Sequence, residues 1–82
     1  MTCTLETYQN FLHDIGLLVK EEALASKQEH DKHVPGEPDG YHIGRLIAWH
    51  TVISLMQEQA TVFGISLVEL CLEDIIPERD LV

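Results

Sequence analysis

Apolar residues recur at helical intervals in two long stretches of the chain, and neither shows the two-residue alternation of a strand. In the first stretch Leu5, Tyr8, Leu12, Ile15, Val19, Glu22 and Ser26 follow 3-4-3-4 spacing, and Phe11, Leu18 and Ala25 widen the stripe. This period predicts a helix over about residues 4–32. Its last turns, Lys27 to His33, are polar and run past the apolar pattern. In the second stretch Leu46, Trp49, Ile53, Met56, Ala60 and Phe63 repeat the spacing, extended by Ala48, Val52, Leu55 and Val62. A helix over about 41–63 is predicted. At ~100° per residue its apolar arc covers ~200°, about twice what contact with one neighbour requires. Burial on two sides is expected.

Val34-Pro35-Gly36-Glu37-Pro38-Asp39-Gly40 separates the two stretches. Proline removes a backbone donor and glycine favours turns, so 34–40 is a loop. Gly64 is placed to end the second helix in the left-handed conformation. Ser66-Leu67-Val68-Glu69 matches a capping box, with Ile65 and Leu70 as a staple, and predicts a short helix over about 67–72. Pro77 is expected to stop any continuation, leaving residues 77–82 as an extended tail. The expected fold is all-α: one domain, an antiparallel helical hairpin with a short C-terminal helix. Folding about the loop pairs positions whose numbers sum to about 74, setting Trp49 against Ala25, Met56 against Leu18 and Phe63 against Phe11. Two hairpins side by side form a four-helix bundle, so a homodimer is expected, with Leu17 and Leu24 as added contacts.

Composition sharpens this picture. The 82 residues carry fourteen acidic and five basic side chains, a formal charge of −9. Hydrophobic residues make up 45%, too many for a disordered acidic tail. Nucleic acid and anionic membranes need Lys and Arg to neutralise phosphate, so neither is expected as a direct ligand. A core this small supplies about 3–5 kcal/mol, which again favours a partner copy. Cys3 and Cys71 form no CxxC pair and read as reduced thiols. No basic, apolar leader opens the sequence, and Ile43 to Met56 is interrupted by Gly44, Arg45, His50, Thr51 and Ser54. A cytoplasmic protein is expected.

Candidate chemistry is sparse. Among His13, His30, His33, His42 and His50, the pair His30 and His33 lies one turn apart, with His42 across the loop as a third potential metal ligand. The favoured reading is a solvated helix end whose cations complement the helix dipole; no cofactor is expected. Cys71 lies among Val68, Leu70 and Leu72 and reads as a packed thiol. Glu21-Glu22 and Glu73-Asp74 point ~100° apart on a helix, so neither makes an acid/base dyad. No catalytic residue is assigned. Arg45 and Glu22 each fall inside an apolar arc, and buried charges need partners. The hairpin register sets Arg45 nearest Glu29, with Glu22 two turns away, giving a structural ion pair. The competing reading groups Arg45 with Tyr41, His42, Trp49, Val52 and Met56 as a partner-facing patch, since aromatics beside Arg are common anchors at interfaces.

The run Gly44-Arg45-Leu46-Ile47-Ala48-Trp49-His50-Thr51-Val52-Ile53-Ser54-Leu55-Met56, continued by Gln59-Ala60 and Phe63-Gly64-Ile65, resembles small helical-hairpin proteins of bacteria and their phages. The stretch Leu72-Glu73-Asp74-Ile75-Ile76-Pro77-Glu78-Arg79-Asp80-Leu81 shares the resemblance. It covers about residues 41–82 and implies a bacterial or phage setting and no defined activity. The function expected is that of a non-enzymatic interaction module: a small acidic inhibitor or neutraliser, of the immunity, antitoxin-like or phage-encoded kind, that binds a protein with a basic surface. The alternative is a metal- or small-ligand-binding bundle using His30, His33 and His42.

Overall fold

The computed structural model describes residues 4–32, 34, 36 and 40–82. Two long helices, α1 (Leu5–Asp31) and α2 (Gly40–Val62), are followed by a 3₁₀ turn (Leu67–Leu70) and a one-turn helix, α3 (Pro77–Asp80). No strand occurs among the described residues. Thr4 caps α1, its hydroxyl oxygen accepting the Thr7 N–H at 3.2 Å and satisfying a donor with no partner inside the helix. The sequence expectation for the 34–40 loop falls mostly outside the described residues.

The end of α2 is a Schellman motif. The Ile65 N–H donates to the Ala60 carbonyl at 2.8 Å and the Gly64 N–H to Thr61 at 3.2 Å, with Gly64 at φ 69°. Two residues later Ser66 and Glu69 form a capping box, in which Glu69 Oε2 accepts the Ser66 N–H at 3.3 Å. The element it starts is a single 3₁₀ turn, shorter than the helix over 67–72 that the pattern predicts. Cys71 closes it at φ 58°, and the Leu72 N–H returns to the Leu67 carbonyl at 3.0 Å. Pro77 does not stop a helix; it starts one. Its fixed φ suits the first helical position, where the missing N–H costs nothing. The residues expected as an extended tail therefore fold back, and Leu81 is buried.

Helices α1 and α2 pack as an antiparallel hairpin. Near the loop Arg45 reaches Glu29. At the far end Ile65 shares a surface pocket with Leu5, Tyr8 and Leu12. A hairpin has one seam, and here a third layer lies across it. The C-terminal arm, residues 66–82, supplies Leu70, Leu72, Ile75 and Leu81 to a core completed by Ala23, Leu46, Ile53 and Ala60. Val19, Trp49, Met56, Ile65 and Leu67 pack around it, half-buried. Gln57 fixes the arm by donating to the carbonyls of Leu72 at 3.2 Å and Ile75 at 2.9 Å.

The arm decides which face of α1 is buried. Gly16, Lys20, Ala23 and Ser26 face inward, a row displaced from the large apolar side chains that the spacing picks out. The arm's backbone comes so close that a Cβ on Gly16 would sit 1.6 Å from the Leu70 carbonyl oxygen. Only small residues, or a long side chain lying flat, fit under a backbone at that distance. Phe11, Leu18, Ala25 and Phe63, expected opposite partners in the core, are exposed instead. Glu22 is likewise on the surface. The whole is a slab of 53 × 26 × 17 Å.

Replacing a glycine by alanine inside a helix ordinarily stabilises by ~0.5–1 kcal/mol. At position 16 the sign reverses: Gly16→Ala must displace the arm, with a net loss of about 1–3 kcal/mol. Urea unfolding followed by circular dichroism checks this, and a Gly16→Ala variant as stable as the parent would contradict the close approach.

Candidate functional site

The charged cluster at the loop end of the hairpin joins three side chains from two helices. Glu22 and Glu29 are seven residues apart on α1 and so project in nearly the same direction. Arg45 comes from the second turn of α2. Its Nη1 donates to Glu29 Oε2 at 2.8 Å, and its Nη2 lies 3.8 Å from Glu22 Oε2. The guanidinium is half-buried and both carboxylates are largely exposed. An exposed pair of this kind is worth ~0.2–1 kcal/mol.

Around it the other candidate residues divide. Val52, one heptad beyond Arg45 on the same face of α2, is exposed. Trp49 and Met56 are half-buried and turn into the core. Tyr41 is exposed, its ring packed edge-on against the neighbouring His42 at a centroid distance of 5.2 Å. Leu17 and Leu24 do not join this group. They lie five residues before and two after Glu22, which at ~100° per residue puts them on the far side of α1. Tyr41, Arg45 and Val52 thus belong to one side of the hairpin, and the two leucines to another.

The histidines do not assemble. His30 is half-buried, with Nδ1 3.4 Å from Asp31 Oδ1, and His42 stands beside Tyr41. His33 lies outside the described residues. Among the described residues no three His, Cys, Asp or Glu side chains converge to hold a metal ion. His30 does line a cavity of about 400 Å³ with Ile43, Leu46, Ile47, His50, Thr51, Leu81 and Val82, formed where the arm crosses the start of α2.

One polar centre has no counterpart in the sequence expectations. Lys20 is the buried charged side chain among the described residues, and its ammonium donates to Asp74 Oδ1 at 2.8 Å and to Cys71 Sγ at 3.5 Å. The hydrogen bond to Asp74 raises the Lys20 pKa against the opposing effect of burial, and the same bond lowers that of Asp74. This pair ties α1 to the arm across 54 positions of sequence. The available signal was the row Gly16, Lys20, Ala23, Lys27, in which two lysines with long stems alternate with residues too small to cover a helix. Lys27 also reaches the arm, donating to the backbone oxygen of Val82, and pairs with Asp31 at 2.9 Å. In α3, Asp80 accepts from Arg79 at 2.7 and 2.8 Å and from the Ile76 N–H at 2.8 Å; these bonds hold its pKa down at about 2.

No protein-family model, curated protein or solved structure matches the chain. No helix among the described residues is long and apolar enough to cross a membrane.

The arm's anchors set a pH dependence. Asp31, Asp74 and Asp80 have folded pKa values below the ordinary carboxylate value of 3.8. Their stabilisation is complete above that value and is lost as the pH falls through the lower folded values. Lys20 acts in the opposite sense: its contribution holds below 10.5 and fades as the pH rises beyond its raised folded value. Melting temperature is therefore expected to fall below pH 4, and Asp74→Asn to flatten part of that fall. An Arg45→Ala variant is expected to lose no more than ~1 kcal/mol, since both its partners face solvent; chemical denaturation reads both.

Proposed function

We propose that this chain is a non-enzymatic protein-interaction module, a small acidic helical protein that self-associates as a four-helix bundle and binds, and thereby inhibits or neutralises, a protein with a basic surface. The observation that carries the reading is how the charges are disposed. Of the five basic residues, Lys20, Lys27, Arg45 and Arg79 are each held in an ion pair with a carboxylate of the same chain. Every described carboxylate except Asp80 is exposed. The outward field is thus almost wholly negative, and large apolar side chains stand within it. Such a surface steers a basic partner into encounter by long-range attraction, and burial of apolar contacts then slows release. The bacterial or phage setting implied by the resemblance of residues 41–82 fits a neutraliser of this kind.

A second reading has one observation in its favour. The cavity of about 400 Å³ beside His30 and His50 is lined mainly by Ile43, Leu46, Ile47 and Leu81, and is large enough for a small apolar ligand with one hydrogen-bonding group.

Capture from bacterial lysate with the full chain, followed by stopped-flow association with the purified partner, tests the first reading. Association is expected to slow at least tenfold between ~0.05 and ~0.5 M salt, as screening shortens the reach of the field. A partner whose association ignores salt would overturn it. So would a stoichiometric metal ion or small ligand recovered with the untagged protein by mass spectrometry.

A further inference from the structure

The hairpin has two broad sides, and the arm covers one of them. On α1 the arm meets Gly16, Lys20 and Lys27; on α2 it meets Gln57 and, across the cavity, Leu46 and His50. The opposite side is marked by the Arg45 cluster with Glu22 and Glu29. Glu22 lies ~160° around α1 from Lys20 and ~120° from Gly16, and Arg45 lies ~120° around α2 from Gln57, by the 100° step of a helix.

This uncovered side carries large apolar side chains around the charged cluster. Tyr8, Phe11, Leu18 and Ala25 of α1 are exposed on the same flank as Glu22 and Glu29. Phe11, Leu18 and Ala25 recur every seven residues and so form one stripe along α1, beside Glu22 and Glu29. Val52 on α2 and Phe63 just past its end continue the side. Phe11 is 62%, Leu18 54% and Phe63 73% exposed, so their contacts with the rest of the chain are few.

The surface area matches one occupant in particular. The chain exposes 5771 Å². A compact monomer of 9.3 kDa exposes about 5000 Å². The excess, roughly 800 Å², is what each partner contributes to an interface of standard size. The shape carries the same message: the Cα radius of gyration is 15.0 Å, against about 12 Å for a compact domain of this length.

We infer that the uncovered α1–α2 side is a two-fold, isologous interface with a second copy of this chain, in which Phe11, Leu18, Val52 and Phe63 of both copies form a shared apolar layer. The inference rests on the reading of the chain as a protein-binding module and names the first protein that it binds. Stacking two slabs through this side leaves both arms outside. It also doubles the −9 of one chain, so the dimer is opposed by charge repulsion and is helped by salt.

Sedimentation velocity on the full chain over ~1–100 µM, at ~0.05 and ~0.5 M NaCl, provides the test. The parent is expected to sediment as a dimer whose Kd holds or falls as salt rises. Leu18→Glu places a charge in the layer twice and raises Kd about a hundredfold or more while leaving the helical circular dichroism unchanged, because position 18 is exposed in the single chain. Val68→Glu, at an exposed position on the arm's 3₁₀ turn, remains a dimer. A monomeric parent, a dimeric Leu18→Glu or a monomeric Val68→Glu would each overturn the assignment of this side. The salt response separates the two readings: dimerisation holds or tightens with salt, whereas capture of a basic partner weakens. A monomer that still captured such a partner would overturn the interface, and with it the self-association proposed above, and leave only the partner reading standing.

Discussion

Two helices alone cannot keep water from the residues between them, and everything else in this protein follows from how the third side of that seam is closed. The C-terminal arm closes it with backbone as much as with side chains. Its 3₁₀ turn presses the Leu70 carbonyl against the bare Cα of Gly16, and Leu70, Leu72, Ile75 and Leu81 fill the space between α1 and α2. Because backbone approaches that closely, the inward face of α1 must be small, and Gly16, Ala23 and Ser26 provide it. Because the approach also leaves polar ends to satisfy, Lys20 and Gln57 become anchors rather than surface residues.

The two long helices, the Gly64 ending and the Ser66–Glu69 capping box were legible in the sequence, since each rests on chemistry within a few residues. The buried face of α2, with Leu46, Ile53 and Ala60, was legible too; which face of α1 is buried was not. The large apolar residues of α1 form a conspicuous stripe, and a large side chain ordinarily marks the core. Here a row of small residues wins because a backbone, not a side-chain layer, packs there, and nothing local to α1 announces that. The same reason hid Lys20, whose partners Cys71 and Asp74 lie more than fifty positions away. Pro77 departs from the expectation for a different cause. As a breaker it ends helices, but at the first position it starts them, and the choice between the two depends on whether Leu81 finds a core to enter.

The division of charge complements this architecture. The cations stitch the fold: Lys20 and Lys27 fasten α1 to the arm, Arg45 bridges the hairpin near its loop, and Arg79 braces α3. The carboxylates exceed what those pairs consume and remain on the outside. An acidic surface is thus the remainder left after internal pairing, and the candidate function draws on that remainder while the stability of the fold draws on the pairs.

The arm's place in the core also bears on how the protein is made. Half of the buried apolar residues, from Leu70 to Leu81, belong to the last part of the sequence. As the chain leaves the ribosome, α1 and α2 emerge first and have only each other; the seam stays wet until residue 81 is clear of the exit tunnel. Until the arm has emerged, the nascent hairpin presents both of its sides, the one the arm will cover and the one it leaves open.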